Sequence, residues 1–172
     1  MEKLDPKREF KALYNPPSAA PVLVEAPAMN FLMVDGQGDP NTSAEFQQAV
    51  EALYAVSYTL KLASKKGPLA VDYKVMPLEG LWWADDMREF SLERKDEWEW
   101  TAMIAQPEII TREMVAEAVE AVREKKAPSA LGKLRFERFD QGLCAQIMHI
   151  GPYAEERPMM EKMRTVIRQP VG

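Results

Sequence analysis

Cysteine and histidine are almost absent: the 172 residues hold one of each, Cys144 and His149. A single cysteine cannot close an intramolecular disulfide, and one thiol with one imidazole falls short of the soft and imidazole ligands of a zinc site. Metal catalysis is therefore set aside, and no cofactor is expected. Long apolar runs are also missing. No stretch approaches the ~18 uninterrupted apolar residues of a membrane-spanning helix, and the charged start, Met1 to Arg8, has no apolar segment behind it. The expectation is a cytoplasmic protein without a membrane partner. Basic charge is not in excess either: 22 Lys and Arg stand against 27 Asp and Glu, a formal charge of -5. Affinity for nucleic acid comes largely from clustered cations neutralising phosphates, so that partner is disfavoured, and cationic ligands are mildly suited.

What is present is ordinary globular material, 47% hydrophobic and 28% charged, in a length that suits one hydrophobic core. Residues 1 to 20 begin charged and end in Asn15-Pro-Pro-Ser-Ala-Ala-Pro21, which reads as an N-terminal arm or short helix ahead of a single domain over 21–172. Val22 to Glu25 and Asn30 to Asp35 read as a strand pair joined by a turn at 26–29. Thr42-Ser-Ala-Glu45 has capping-box spacing, and Phe46, Ala49, Val50, Leu53, Ser57 and Leu60 recur at helical spacing, so a helix is predicted from about 43 to 65. Lys65-Lys-Gly-Pro68 ends it.

Two aromatic strands are predicted at about 70–83 and 95–106, around the acidic loop Ala84-Asp-Asp-Met87, then a helix over about 111–126. Leu134 to Phe139 and Leu143 to Ile150 read as two more strands turned at Asp140-Gln-Gly142, before a helix from roughly 155 to 168. The order strand, turn, strand, glycine, loop, helix thus occurs twice, at 22–65 and 134–168. The fold class expected is α+β, an antiparallel sheet with helices on one side and a concave face for a ligand.

Four blocks carry a resemblance: Phe31 to Asn41, Asp72 to Trp83, Arg94 to Ile104, and Ile147-Met-His-Ile-Gly-Pro-Tyr153. With these blocks the chain from residue 20 onward resembles the GyrI-like small-molecule-binding family. The resemblance implies two pseudo-symmetric strand-helix-strand-strand modules with a ligand cleft between them, similar to the effector-binding domains of multidrug-sensing regulators. It implies binding of lipophilic, often cationic, aromatic compounds. Leu81-Trp-Trp83 and Glu97-Trp-Glu-Trp100 are similar to the subfamily that hydrolyses cyclopropane-bearing DNA-alkylating toxins in an aromatic cage. The family's second module continues after its helix into further strands bearing acidic residues, and this sequence departs from that pattern.

All four tryptophans, Trp82, Trp83, Trp98 and Trp100, fall on the two aromatic strands. Period-two alternation puts Trp98, Trp100, Ala102 and Ile104 on one face and Glu97, Glu99, Thr101 and Met103 on the other. The Trp98 face either packs under the helices or lines the cleft. Trp82 and Trp83 must point oppositely, and the resemblance favours Trp83 for the cleft. Tyr54 and Tyr58, four apart on the long helix, are either a pocket wall or boundary tyrosines of an amphipathic helix.

The candidate ligand-binding residues are therefore Tyr54, Tyr58, Trp83, Trp98, Trp100 and Met103. Glu79, Glu97 and Glu99 are the carboxylates nearest the tryptophans, and one at the cage would pair with a ligand cation or position a water; the candidate catalytic residues are Glu99 and Tyr153, a hydroxyl after the Gly151-Pro152 turn. Solvated glutamate and a turn tyrosine are the plainer alternatives. His149 reads as structural, Cys144 as a core thiol, and Gly36-x-Gly38 as turn and cap. The function expected is binding and detoxification of aromatic xenobiotics, with a cofactor-independent hydrolase as its enzymatic form and a monomer or homodimer as its assembly. An interaction or effector-sensing module without catalysis is the alternative.

Overall fold

The computed structural model describes residues 1–87 and 90–167. Their strands are β1 (Glu2–Leu4), β2 (Val22–Ala26), β3 (Met29–Gln37), β4 (Val71–Tyr73), β5 (Leu78–Trp83), β6 (Glu99–Gln106), β7 (Arg135–Phe139) and β8 (Gly142–Gln146). Their helices are α1 (Pro6–Glu9), α2 (Lys11–Tyr14), α3 (Ala44–Lys66), α4 (Arg112–Lys125) and α5 (Arg157–Ile167). The α+β class is as the sequence predicts, and no described helix is long and apolar enough to cross a membrane. Residue 168, the expected end of the last helix, lies outside the described residues.

The chain divides into two compact units, one of Met1–Pro6 and Met29–Phe139, the other of Lys7–Ala28 and the chain from Asp140. The first is built on a four-stranded antiparallel sheet in the order β5-β6-β3-β7. The same unit holds a separate parallel pair, β1 and β4, with Lys74 Nζ 2.6 Å from Asp5. The segment read as an arm thus contributes a strand to this unit. The second unit holds the antiparallel ladder β2-β8, Val22 opposite Gln146 and Ala26 opposite Gly142, together with α5.

The strand pairs read from the sequence do not pair with themselves. β2 takes β8 as its neighbour and β3 takes β7. Ala26-Pro-Ala28 lacks the Asn-Gly or Gly-X chemistry of a two-residue hairpin, and proline offers no N–H there, so the chain passes from one ladder to the next instead of reversing. At 140–142 the Asp140 carboxylate accepts from Gly142 N at 3.0 Å, and Gly142 takes φ 65°, a left-handed value that favours glycine.

Helix α3 starts one residue later than its capping-box reading. Ser43, not Thr42, is the cap, its hydroxyl accepting from Phe46 N at 3.2 Å. Thr42 is held inside the preceding turn, where its N–H and that of Ser43 donate to the Asp39 carbonyl. Lys65 and Lys66 sit in the last turn, favourable to the helix dipole. The helix buries Ala49, Ala52, Leu53, Val56, Ser57, Leu60 and Ser64. α4 is capped by Thr111, which accepts from Met114 N at 3.2 Å, and buries Val115, Ala118 and Val122.

Both helices lie on one face of the sheet. Phe46 rests edge-on against Trp100 with centroids 5.0 Å apart, Ser57 Oγ accepts from Gln106 Nε2 at 3.2 Å, and Arg112 sits over the Phe136 ring. The α3 C-terminal half is fixed to β4 by Ser64, which donates to Val71 O at 2.8 Å, and by Lys61 and Lys65, 2.7 and 3.1 Å from Asp72.

The hydrogen bonds from Lys61 and Lys65 hold the Asp72 carboxyl below its ordinary value of 3.8. A depressed folded-state pKa contributes stability that is present above the unfolded pKa and lost as pH falls from about 3.8 through the folded value. Asp72→Asn is expected to lower the urea midpoint at pH 7, and its gap from the wild type should narrow as pH is lowered below 3.8. A constant gap between pH 7 and pH 3 would sink this assignment.

Candidate functional site

Residues opposite one another in an antiparallel ladder share a face, so the register maps the sheet. Trp82, Trp100 and Gly36 form one row across β5, β6 and β3 on the helix-covered face. The other face begins with the row Trp83, Glu99 and Gln37, followed by Leu81, Thr101 and Asp35. Next come Glu79, Met103, Met33 and Arg135, and then Ala105, Phe31 and Glu137. Thr101, Met103, Ala105, Phe31 and Met33 are buried at its centre, while Trp83, Leu81, Glu79 and Glu99 are half-buried at its rim. The result is an apolar floor with an indole at one corner and carboxylates around it.

Three candidate residues, Trp83, Glu99 and Met103, come together on this face. Trp100 and Trp82 lie on the opposite one, and Trp98 precedes β6. Trp100 is fully buried, and it covers Gly36 so closely that a Cβ there would collide with the indole. Its Nε1 is buried with no hydrogen-bond partner. Trp98 stacks on Phe90 at 4.9 Å, lies under Lys95 Nζ at 5.4 Å, and donates from Nε1 to Ser91 O at 2.9 Å. Trp82 lies over Gly80 at the β5 edge and is 39% exposed.

Tyr54 and Tyr58 stack on each other at 6.3 Å on the flank of α3 turned away from its buried stripe, and Tyr58 is 52% exposed. They are therefore on the helix side of the sheet, not with Trp83. Tyr153 belongs to the second unit, in the single helical turn Tyr153–Glu155, and is 79% exposed. His149 in that unit is 2.9 Å from Pro152 O through Nε2. Cys144, expected in a core, is half-buried, its Sγ 3.5 Å from Gly142 O.

Sequence reasoning missed a polar group on the face that carries Trp83. Thr101 Oγ1 donates to Asp35 Oδ1 at 2.6 Å, and Arg135 Nη1 is 2.5 Å from Asp35 Oδ2. The Arg135 guanidinium also reaches Glu137 at 3.3 Å and the Met33 sulfur at 3.6 Å. Burial works against this cation, but the two carboxylates outweigh it and raise its pKa above the ordinary value. The strand read over Asn30 to Asp35 already gave Asp35 the parity of Met33, but not the cross-chain partner Arg135.

An α+β unit with one helix-covered sheet face, and on the other an apolar floor rimmed by carboxylates, is the layout of a small-molecule-binding domain. Residues 19–169 match the model of the GyrI-like small molecule binding domain. The chain belongs to the GyrI-like family. It is similar to the crystal structure of an uncharacterized conserved protein from Listeria innocua, at 39% identity and TM-score 0.86, over 95% of this chain and 80% of that one. Two crystal structures of hydrolases from Listeria innocua are each 38% identical. One matches with TM-score 0.85 over 96% of this chain and 80% of its own, the other with 0.81 over 95% and 82%. A comparison with curated proteins gave no match.

Proposed function

We propose that this domain binds flat apolar compounds, cationic aromatics included, on the sheet face that carries Trp83, and that it disarms them by sequestration or by adding water. One observation carries the reading: half-buried Trp83, Leu81 and Glu99 share a sheet face with the buried thioethers of Met103 and Met33 beneath them, so an indole and a carboxylate stand side by side over an apolar, adaptable base. Indole stacking with a cation over the ring contributes on the order of 0.5–2 kcal/mol, depending on desolvation. Two of the similar solved structures are described as hydrolases, which supports the enzymatic form.

In that form the substrate is a cyclopropane conjugated to a carbonyl. Glu99 accepts a proton from water, the water oxygen bonds to a ring carbon, and the broken C–C pair passes to the carbonyl oxygen, which is then protonated. No external oxidant or cofactor enters the balance. In this reading Trp98 and Trp100 are support beneath the sheet.

The test is a titration of tryptophan emission with flat aromatic and cationic-aromatic compounds, followed by mass analysis of each compound after incubation. Saturable quenching is expected, and for strained cyclopropanes a product heavier by one water. Glu99→Gln should keep the quenching and lose the product. Quenching without product leaves a sequestering protein, whereas no quenching across the panel would sink ligand binding and favour an interaction module.

A further inference from the structure

Helix α3 carries apolar surface on the side turned away from its buried stripe. Tyr58 is 52% and Leu62 49% exposed there, with half-buried Tyr54 beside them. The two tyrosine rings already stack on each other at 6.3 Å, so an incoming partner meets side chains whose order is set in advance. This surface lies in mid-chain, in the unit built from Met1–Pro6 and Met29–Phe139.

Glu51, Tyr54, Tyr58, Leu62 and Lys65 follow one another at steps of three, four, four and three residues, which places them in one stripe of an α-helix. In position the stripe is a palindrome about Tyr58. Tyr54 and Leu62 stand four residues to either side of it, and Glu51 and Lys65 stand seven. In charge the helix is the reverse of symmetric: Glu45 and Glu51 precede Tyr58, whereas Lys61, Lys65 and Lys66 follow it.

We propose that this stripe is a self-association seam, occupied by α3 of a second copy running antiparallel about a two-fold axis at Tyr58. The palindrome lets the stripe fit itself, as an isologous interface requires. Tyr54 of each copy meets Leu62 of the other, and the two Tyr58 rings meet at the axis. The reversed charge makes the ends attract, because Glu51 of each copy faces Lys65 of the other. Within each copy Lys126 is 3.2 Å from Glu51, and Asp72 is 3.1 Å from Lys65. Each end of the seam thus becomes a row of four charges alternating in sign, the arrangement in which surface ion pairs count. A partner of uniform charge would match one half of the stripe and repel the other, which is what selects a second copy. One helix pair lies at the low end of specific interfaces, below roughly 1,200 Å² in total, so the dimer is weak and reversible.

Sedimentation velocity of the full chain over a wide concentration range should show that dimer. Tyr58→Glu sets two carboxylates at the axis from an already exposed position, and should weaken association at least ~tenfold without changing the circular dichroism spectrum. Glu51→Lys alone and Lys65→Glu alone each place like charges at both ends and should also weaken it. An equimolar mixture of those two variants should associate again, because both ends of the mixed dimer pair opposite charges. A monomer at every concentration overturns the proposal. So does a dimer indifferent to Tyr58→Glu, or a mixture no more associated than its two components.

Discussion

Trp100→Ala is expected to lower the unfolding free energy by about 3–5 kcal/mol, the range for removing a buried tryptophan or phenylalanine from a close-packed core. Against a total of about 5–15 kcal/mol for a typical domain, that leaves a marginal protein. The reason is geometric. Trp100 is fully buried, meets Phe46 edge-on, and fills the space that Gly36 opens on the neighbouring strand. Nothing smaller fills that space without movement of α3 or β3. Because its Nε1 has no partner, truncation forfeits packing and leaves no acceptor orphaned.

Trp100→Phe should therefore recover part of the loss. Gly36→Ala should repeat much of the alanine defect from the other side, since its methyl would enter the indole ring. Urea unfolding followed by circular dichroism measures all three. A Trp100→Ala loss below about 1 kcal/mol would show that the indole is not the keystone of this sheet.

The elements whose local chemistry decides them were legible in the sequence. α3 and α4 announce themselves by apolar residues at helical spacing and by cap residues, and they are misplaced by no more than a residue or two. β6 was legible by its parity, and the two faces inferred from it are the two faces observed. Pairing was less legible. β2 and β3 are adjacent in sequence, but a partner is chosen by ladders that form across the chain, so β8 and β7 take the places a hairpin would have filled.

The arrangement of the candidate residues was legible by half for the same reason. Parity placed Trp83 opposite Trp82, and Glu99 and Met103 together, but it could not say which face the helices cover. The contact of Phe46 with Trp100 decides that, by putting Trp98 and Trp100 under cover and leaving Trp83 on the other side. Tyr54 and Tyr58 have the right spacing for a wall and the wrong direction, because the buried stripe of α3 runs through Leu53 and Ser57. Arg135 was invisible, since its partner Asp35 is a hundred residues away in the chain.

Trp83→Ala should have the opposite signature to Trp100→Ala. Trp83 is half-buried at the rim of the sheet, on a strand edge, so its removal should cost much less stability than the core indole. Among the described residues its ring, however, is the only indole on that sheet face, so aromatic ligands should lose their principal stacking surface. The expected fall in affinity is about tenfold or more, which corresponds to about 1.4 kcal/mol, within the range that a desolvated indole contributes to a cation. Trp83→Phe should restore most of the binding of neutral aromatics and less of that of cations, because the phenyl ring has the weaker quadrupole attraction. Isothermal titration of each variant with one neutral and one cationic aromatic separates these effects from stability. If Trp83→Ala binds both compounds as the wild type does, the ligand face has been assigned to the wrong side of the sheet, and exposed Trp82 becomes the next indole to replace.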